Sequence, residues 1–394
     1  MITSSQSILI DPDSVKARRG SEGHLDANPT YHYNREHFNL LNLDDSTLLI
    51  RYGTNPDGKL IKKAEVYTAE DHRIDPTLID LDARRIIRRL QREGFKAYIV
   101  GGAVRDLLTG LQPKDFDIAT DALPRRLRKI FPNSRVIGRR FRLVHIYSER
   151  EGKGKIFEVS TFRASQRSEH SRGTSIYGSV EEDVWRRDFT VNALYYCPER
   201  GIIIDFVGGY RDIQEKKICP LIPADTSFRE DPVRMIRGIK YAEMTGFPLG
   251  PALTASIKRH RRRLSGCSAA RLTEELYKIL SSGHSAAIFL QSYRLKLLEV
   301  FFPTLHDRWH SLGRRQLLEN LRANLDLLDR HVKKDTLSRG SMLGYLMRSF
   351  NKRWDPSTDV EQVMVWIQES CKPLIPSRKE CQRAATLLLR WTTA

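Results

Sequence analysis

No stretch of this chain approaches the roughly 18 consecutive apolar residues that cross a bilayer as a helix, so no membrane-spanning helix and no membrane partner are expected. The opening Met1-Ile-Thr-Ser-Ser-Gln6 lacks the basic-then-apolar pattern of a secretory leader, and a cytoplasmic location is expected. Cysteine is scarce: Cys197, Cys219, Cys267, Cys371 and Cys381 are an odd, scattered set with no Cys-x-x-Cys pair. That argues against a disulfide frame or a cysteine zinc site and fits reduced thiols. Acid is in deficit as well, with 48 Asp+Glu against 66 Lys+Arg and a net charge of +18. Such a surplus favours a polyanionic partner. The 394 residues suffice for two or three domains, and no repeat of fixed period is present.

What the chain does have is concentrated between residues 97 and 120. Ala97 to Val100 is a short apolar run of the kind a buried strand carries. It stops at Gly101-Gly102, where a backbone without Cβ can approach a ligand. Ala103 to Leu108 predicts one or two helical turns, closed by Gly110. Strand, glycine pair and helix start together offer free N–H groups to a phosphate. Arg105 adds a cation able to bind an oxyanion through two parallel hydrogen bonds. Asp115-Phe116-Asp117 then opens a second strand, Phe116 to Thr120. Residues i and i+2 of a strand share a face, so both carboxylates converge while Phe116 turns into the core. Paired carboxylates suit hard divalent cations, typically Mg²⁺ shared with substrate phosphates. Only twelve residues separate Gly102 from Asp115, which joins a phosphate cradle to a metal pair.

Gly101-Gly102-Ala-Val-Arg105-Asp106 followed by Lys114-Asp115-Phe116-Asp117 resembles the head-domain signature of the bacterial poly(A) polymerase and CCA-adding enzyme family, class II nucleotidyltransferases of the polymerase-beta superfamily. The resemblance implies an α+β fold: a mixed-sheet nucleotidyltransferase head with helices, then an all-helical neck, body and tail. It also implies two Mg²⁺ ions, ATP as substrate and the 3′ end of an RNA as acceptor.

The rest of the chain can be laid out on that frame. Residues 1–74 are polar and weakly patterned and read as a poorly ordered arm, with a short strand at Leu48 to Tyr52. Asp75-Pro76 is a helix start, and Ile79, Ala83, Ile86, Ile87 and Leu90 fall on one helical stripe that ends at Gly94. A basic amphipathic helix is expected around Leu123 to Phe131. Strands are expected into Gly138, over Phe141 to Tyr147, Ile156 to Phe162 and Ile202 to Phe206, with a polar loop at Arg163 to Gly178. Val180 to Arg187 opens a helical segment. Beyond Asp231-Pro232 the pattern is helical throughout, with helices at Val233 to Met244, Thr254 to Arg263 and Ala269 to Leu280. The expected domains are therefore a head at 75–230, a helical neck at 231–300 and a helical body and tail at 301–394.

Nucleotidyl transfer needs an attacking 3′-hydroxyl, a triphosphate and divalent ions at the attacking and leaving oxygens. Asp115 and Asp117 are the expected metal ligands. For a third carboxylate the chain offers Glu158, on the same face of its strand as Ser160 and Phe162, and Asp188 in Arg186-Arg187-Asp188, which matches the family's Arg-Arg-Asp motif. The sequence leaves both open. Gly101, Gly102, Arg105, Arg163 and Arg187 are expected at the nucleotide. Glu230-Asp231-Pro232-Val233-Arg234 resembles the motif whose Asp and Arg, one helical turn apart, read the incoming base. Asp231 is also a natural helix cap, and Arg237 continues its face. Arg271, Glu274, Glu275 and Lys278 resemble a helix that braces the nucleotide pocket. RNA phosphates are expected on Lys258, Arg259, Arg261, Arg262 and Arg263, and on Arg139 and Arg140. His145, Trp185, Tyr195 and Tyr196 read as packed core residues.

Val136-Ile-Gly138-Arg139-Arg140-Phe141-Arg142-Leu143-Val144-His145-Ile146 is similar to the signature of the poly(A) polymerase branch and lacks the Gly-Thr pair of CCA-adding relatives. The expected activity is ATP-dependent polynucleotide adenylyl transfer, with CCA addition to tRNA as the alternative. A non-catalytic RNA-binding protein with a decayed transferase head is the alternative from another class.

Overall fold

The computed structural model describes residues 49–54, 60–138, 142–148, 154–164, 177–304, 307, 314–350, 352, 354–355 and 357–392. Its centre is a nine-stranded sheet of β1 (Leu49–Thr54), β2 (Leu60–Tyr67), β3 (Ala97–Val100), β4 (Asp117–Thr120), β5 (Ser134–Ile137), β6 (Leu143–Ser148), β7 (Lys155–Thr161), β8 (Leu194–Cys197) and β9 (Ile202–Asp205). The strand order is β1-β2-β9-β8-β3-β4-β7-β6-β5. β3 pairs antiparallel with β4 and β8, and β4 pairs parallel with β7, so the sheet is mixed.

Both faces of the central strands are covered, and the two-residue period of a strand divides their side chains cleanly. Ile99, Ile118, Val159, Tyr196 and Ile203 pack into one layer with the buried stripe of α2 (Leu81–Arg92) and with Leu127 and Ile130 of α4 (Pro124–Ile130). Val100, Ala119, Tyr195 and Ile204 face the other way, onto Val180 and Val184 of α5 (Val180–Val184). Ile87 and Leu90 of α2 are fully buried, each contributing about 1.5–3 kcal/mol of burial.

The expected helix start at Asp75-Pro76 is a short 3-10 turn, Pro76–Leu78, whose first N–H groups are met by Asp75. The helix itself begins five residues on, where the Asp80 carboxylate accepts the N–H groups of Asp82 and Ala83. β3 runs as expected into Gly101, whose φ of +72° lies in the left-handed region, and α3 (Gly102–Leu108) follows. β4 begins at Asp117, one residue later than expected, yet Asp115, Phe116 and Asp117 still alternate exposed, buried, exposed.

Two expectations need correction. The arm expected over 1–74 is ordered in its last part: β2 pairs with β9 from Glu65 opposite Asp205 to Tyr67 opposite Ile203, and Ala64 and Val66 are buried. Residues 1–48 and 55–59 lie outside the described residues. Trp185, expected in the core, is 53% exposed just beyond α5. Tyr195 and Tyr196, by contrast, are fully buried on β8.

After β9 every named element is helical: α6 (Gly209–Gln214), α7 (Ala224–Glu230), α8 (Val233–Thr245), α9 (Pro251–His260), α10 (Ala269–Leu280), α11 (Ser285–Arg294) and further helices up to Arg378–Thr392. A mixed-sheet head followed by a helical body is therefore the fold. Leu276, Leu321, Leu343 and Ile367 of that body join the same apolar core as the α2 face of the sheet. No described helix is long and apolar enough to cross a membrane.

Candidate active site

On the Val100 face of the sheet, the end of β3, the start of β4 and the middle of β7 surround an open cavity of about 270 Å³. Val100, Asp117, Leu143, Glu158 and Ser160 line its floor, and Arg163, Asp183, Arg186 and Arg187 form its wall. The floor follows from register. Asp117 opens β4 opposite Val100 on β3, and Leu143 of β6 stands opposite Ser160 on β7. Ile118 pairs with Val159 across the parallel β4–β7 ladder, which brings Asp117 and Glu158 to the same level.

Asp117 is open to solvent at the cavity mouth, yet the atoms packed behind it strip much of its hydration. That burial, with the negative charges of Glu158 and Asp115, pushes its pKa up to about 6 against the pull of Arg187. His145, expected to be a core residue, is partly buried with Nε2 3.4 Å from Glu158 Oε1. A Cβ added at Gly101 would stand 3.7 Å from Arg187 Nη1 and 3.8 Å from Asp117 Oδ2, so guanidinium and carboxylate both reach the glycine corner.

Arg187 is the fixed cation of the wall. Its Nε donates to Tyr195 Oη at 3.0 Å, its Nη2 to Asp183 Oδ2 at 3.1 Å and its Nη1 to the Asn192 carbonyl at 3.3 Å. Burial opposes its charge, but Tyr195 and Asp183 outweigh that and raise its pKa further. Asp183 accepts in addition from Tyr195 Oη and from the Arg163 N–H, so one buried carboxylate anchors two arginines of the wall. Neither Asp183 nor Ser160 stands among the expected site residues. The i,i+4 spacing of Asp183 and Arg187 is the signal that would have found the first.

Arg105, expected at the nucleotide, does not line the cavity, although a Cβ added at Gly102 would stand 3.4 Å from its Nη2. It is 3% exposed, donates to Asp106 Oδ1 at 2.6 and 2.9 Å and to Asn192 Oδ1 at 2.7 Å, and lies over the Tyr241 ring. Its guanidinium fastens α3 to the segment after α5. Asp188 is also turned away from the cavity. Its Oδ1 accepts from the N–H of Phe189 and from Asn192 Nδ2, while its Oδ2 accepts from Tyr241 Oη at 3.2 Å and stands 3.6 Å from Arg237 Nη1. Of the two candidate third carboxylates, Glu158 shares the cavity with Asp117 and Asp188 does not.

Arg237 bridges Asp188 to Glu275, whose Oε1 it meets at 2.8 Å, and Lys240 joins Glu275 at 3.5 Å. The Asp231 carboxylate is held by Arg271 Nη2 at 2.8 and 3.0 Å and accepts the Val233 N–H, as a helix cap would. Arg234 donates to Ser227 Oγ and lies 3.6 Å from Glu230. Among the expected RNA contacts, Lys258, Arg259, Arg262 and Arg263 are exposed, Arg259 pairing with Asp225, while Arg261 donates to the Lys258 carbonyl. Arg139 and Arg140 lie outside the described residues.

Among the described residues no group of three or more His, Cys, Asp or Glu is arranged to hold a metal ion by itself. The donors at the cavity are oxygen-only, and burial beside the charges of Glu158 and Asp115 raises the Asp117 pKa to about 6. They fit a hard divalent ion that completes its shell with substrate phosphates and water.

Residues 97–219 match the family described as the poly A polymerase head domain, and residues 246–308 match one described as a probable RNA and SrmB-binding site of polymerase A. The chain is 41% identical over 249 residues to a poly(A) polymerase I of Salmonella typhi, covering 60% of this chain and 53% of that protein. It is 41% identical over 199 residues to a CCA-adding enzyme of Geobacillus kaustophilus, covering 50% of this chain and 48% of that one. Its fold is similar to the crystal structure of the Bacillus stearothermophilus CCA-adding enzyme in complex with CTP, with a TM-score of 0.52, 28% identity, and 79% and 80% of the two chains covered. The chain spans about half the length of the two sequence relatives.

Proposed function

We propose that this chain, whose residues 97–219 belong to the poly A polymerase head-domain family, is a template-independent nucleotidyltransferase that adds AMP from ATP to RNA 3′ ends. One observation carries the reading: Asp117 and Glu158 meet at the same level of the sheet, beside a glycine corner walled by arginines.

In this reading Asp115, Asp117 and Glu158 hold two Mg²⁺ ions, which would neutralise the attacking and leaving oxygens of the transfer. Arg187, kept charged and fixed by Asp183 and Tyr195, faces the triphosphate together with Arg163 and Arg186. Gly101 leaves the corner free of a side chain so that backbone N–H groups can approach a phosphate. Asp231, still held by Arg271, and Arg234, released from Ser227, read the base edge. Exposed Lys258, Arg259, Arg262 and Arg263 take RNA phosphates. We assign 75–230 to the catalytic head, 231–300 to the neck and 301–394 to the body and tail.

CCA addition to tRNA is the second reading, supported by the likeness to CCA-adding enzymes in both sequence and fold. The Gly138-Arg139-Arg140-Phe141 stretch favours the first. Incubating the protein with labelled RNA, Mg²⁺ and each nucleotide separately tests both. Runs of A on unrelated RNAs support adenylyl transfer. C followed by A, confined to tRNA lacking its end, replaces it with the second reading. No incorporation of any nucleotide removes both.

A further inference from the structure

A second basic cluster lies outside the cavity, on the turn between α10 and α11. Lys114, which immediately precedes Asp115, donates from Nζ to the Ser281 carbonyl at 2.8 Å. Lys333, near the end of the helix Arg314–Lys334, lays its stem on the same turn: a Cβ added at Gly283 would stand 3.1 Å from its Cε. His284 is the next residue of the turn. Three basic side chains from three distant chain segments therefore converge on four residues. Asp329, an acid of the same neighbourhood, is buried and accepts from the N–H groups of Ser285 and Ala286 and from Ser285 Oγ.

The grouping is electrostatically costly as it stands. Burial, and then Lys333 and Lys114, hold His284 below its ordinary pKa against the pull of Asp329. Asp115 and Asp329 offset part of the repulsion at Lys114, and a bound anion would offset more. Among the described residues the Lys114 ammonium donates only to Ser281, which leaves two of its three donors for such an anion. None of these residues lines the cavity, where Arg163, Arg186 and Arg187 are proposed to face a triphosphate.

We propose that Lys114, His284 and Lys333 clamp one backbone phosphate of the acceptor RNA strand, across the junction of the sheet-bearing head and the helical body. The assignment rests on the transferase reading for its choice of ligand. It explains why the residue next to Asp115 is a lysine tied to the body: the phosphate would be fixed one residue from a carboxylate that serves the 3′ end.

The test is single-stranded RNA binding by fluorescence anisotropy, without nucleotide, over a range of salt concentrations. Lys333→Gln removes the charge while keeping most of the stem that packs on Gly283; Lys333→Arg keeps the charge. Lys333→Gln is expected to weaken RNA binding several-fold and to make the slope of log affinity against log salt shallower by roughly 0.7–1. Lys333→Arg should retain the slope, the KM for ATP should not move, and both variants should melt like wild type. His284→Asn should weaken RNA binding in the same direction. An unchanged slope and affinity would overturn the clamp, as would a raised KM for ATP with RNA binding intact, because the phosphate would then be the nucleotide's. Binding changes in a protein that incorporates nothing would instead sink the transferase reading and leave the phosphate site standing.

Discussion

Asp117 and Glu158 stand side by side on parallel strands, each one residue before the paired Ile118 and Val159. Among the described residues neither has a basic side chain bonded to it other than the histidine beside Glu158, and burial together with the Glu158 charge raises the Asp117 pKa to about 6. If the pair holds metal, Asp117→Asn and Glu158→Gln should each lower incorporation by more than about 100-fold, the upper end for residues that merely support a metal ligand. RNA binding should stay within twofold. Asp188→Asn should instead change the KM for nucleotide, since Asp188 faces Arg237 and Tyr241. Single-turnover assays with titrated Mg²⁺ separate the two. A Glu158→Gln enzyme with wild-type rate and metal dependence would move the third carboxylate elsewhere.

Arg105 makes the opposite kind of prediction. Its guanidinium is buried against Asp106 and Asn192, and burial already pushes the Asp106 pKa up despite the neighbouring arginine. Arg105→Ala strands that carboxylate and should cost about 3–5 kcal/mol, the usual penalty for breaking a buried pair. Arg105→Lys should recover only part, because one ammonium cannot fork between two acceptors. Urea unfolding measures both. A variant of wild-type stability with a raised KM for ATP would return Arg105 to the nucleotide site.

The strand, glycine corner and helix of 97–108 were legible because a four-residue apolar run bounded by glycines has few other readings. The carboxylate pair was legible because Phe116 is apolar between two acids, and it is indeed buried between two exposed neighbours. β8 was not legible: Leu194 to Cys197 is covered on both faces, so no alternation marks it. Two aspartates five residues apart, Asp75 and Asp80, both carry a cap signal, and only packing decides that the second starts the helix. Trp185 was misread because apolar character alone does not compel burial. The choice between Glu158 and Asp188 depends on the register of β4 against β7, strands far apart in sequence, which no local pattern encodes.

His72 ties the segment after β2 to the β8–β9 turn. Its Nε2 meets the Gly201 carbonyl at 2.9 Å and its Nδ1 accepts the Ile74 N–H at 3.0 Å, an arrangement that needs the neutral ring. Burial lowers its pKa below 6.5. The unfolded chain therefore takes up a proton first as pH falls through 6.5, and folded-state stability declines until the depressed folded pKa is passed. His72→Gln, which can still donate and accept, should show a flatter melting-temperature profile between about pH 7 and 5 than wild type. Parallel profiles would show that His72 does not titrate differently in the two states.

Arg271 and Asp231 give the sharpest test of base choice. Arg271 Nη2 contacts both Asp231 oxygens at 2.8 and 3.0 Å from the next helix but one, so it fixes the carboxylate that is proposed to read the base. The pair is partly exposed, so Arg271→Ala should change stability by less than about 1 kcal/mol. Freed of that hold, Asp231 can turn to several acceptor geometries, and a planar base edge is recognised only by one. The ratio of kcat/KM for ATP over CTP should therefore fall roughly tenfold, equivalent to about 1.4 kcal/mol of discrimination. Arg271→Lys, with one donor point in place of a planar fork, should fall between the two. An unchanged ratio would mean that Asp231 is held for the sake of the α8 cap alone and that the base is read by other groups.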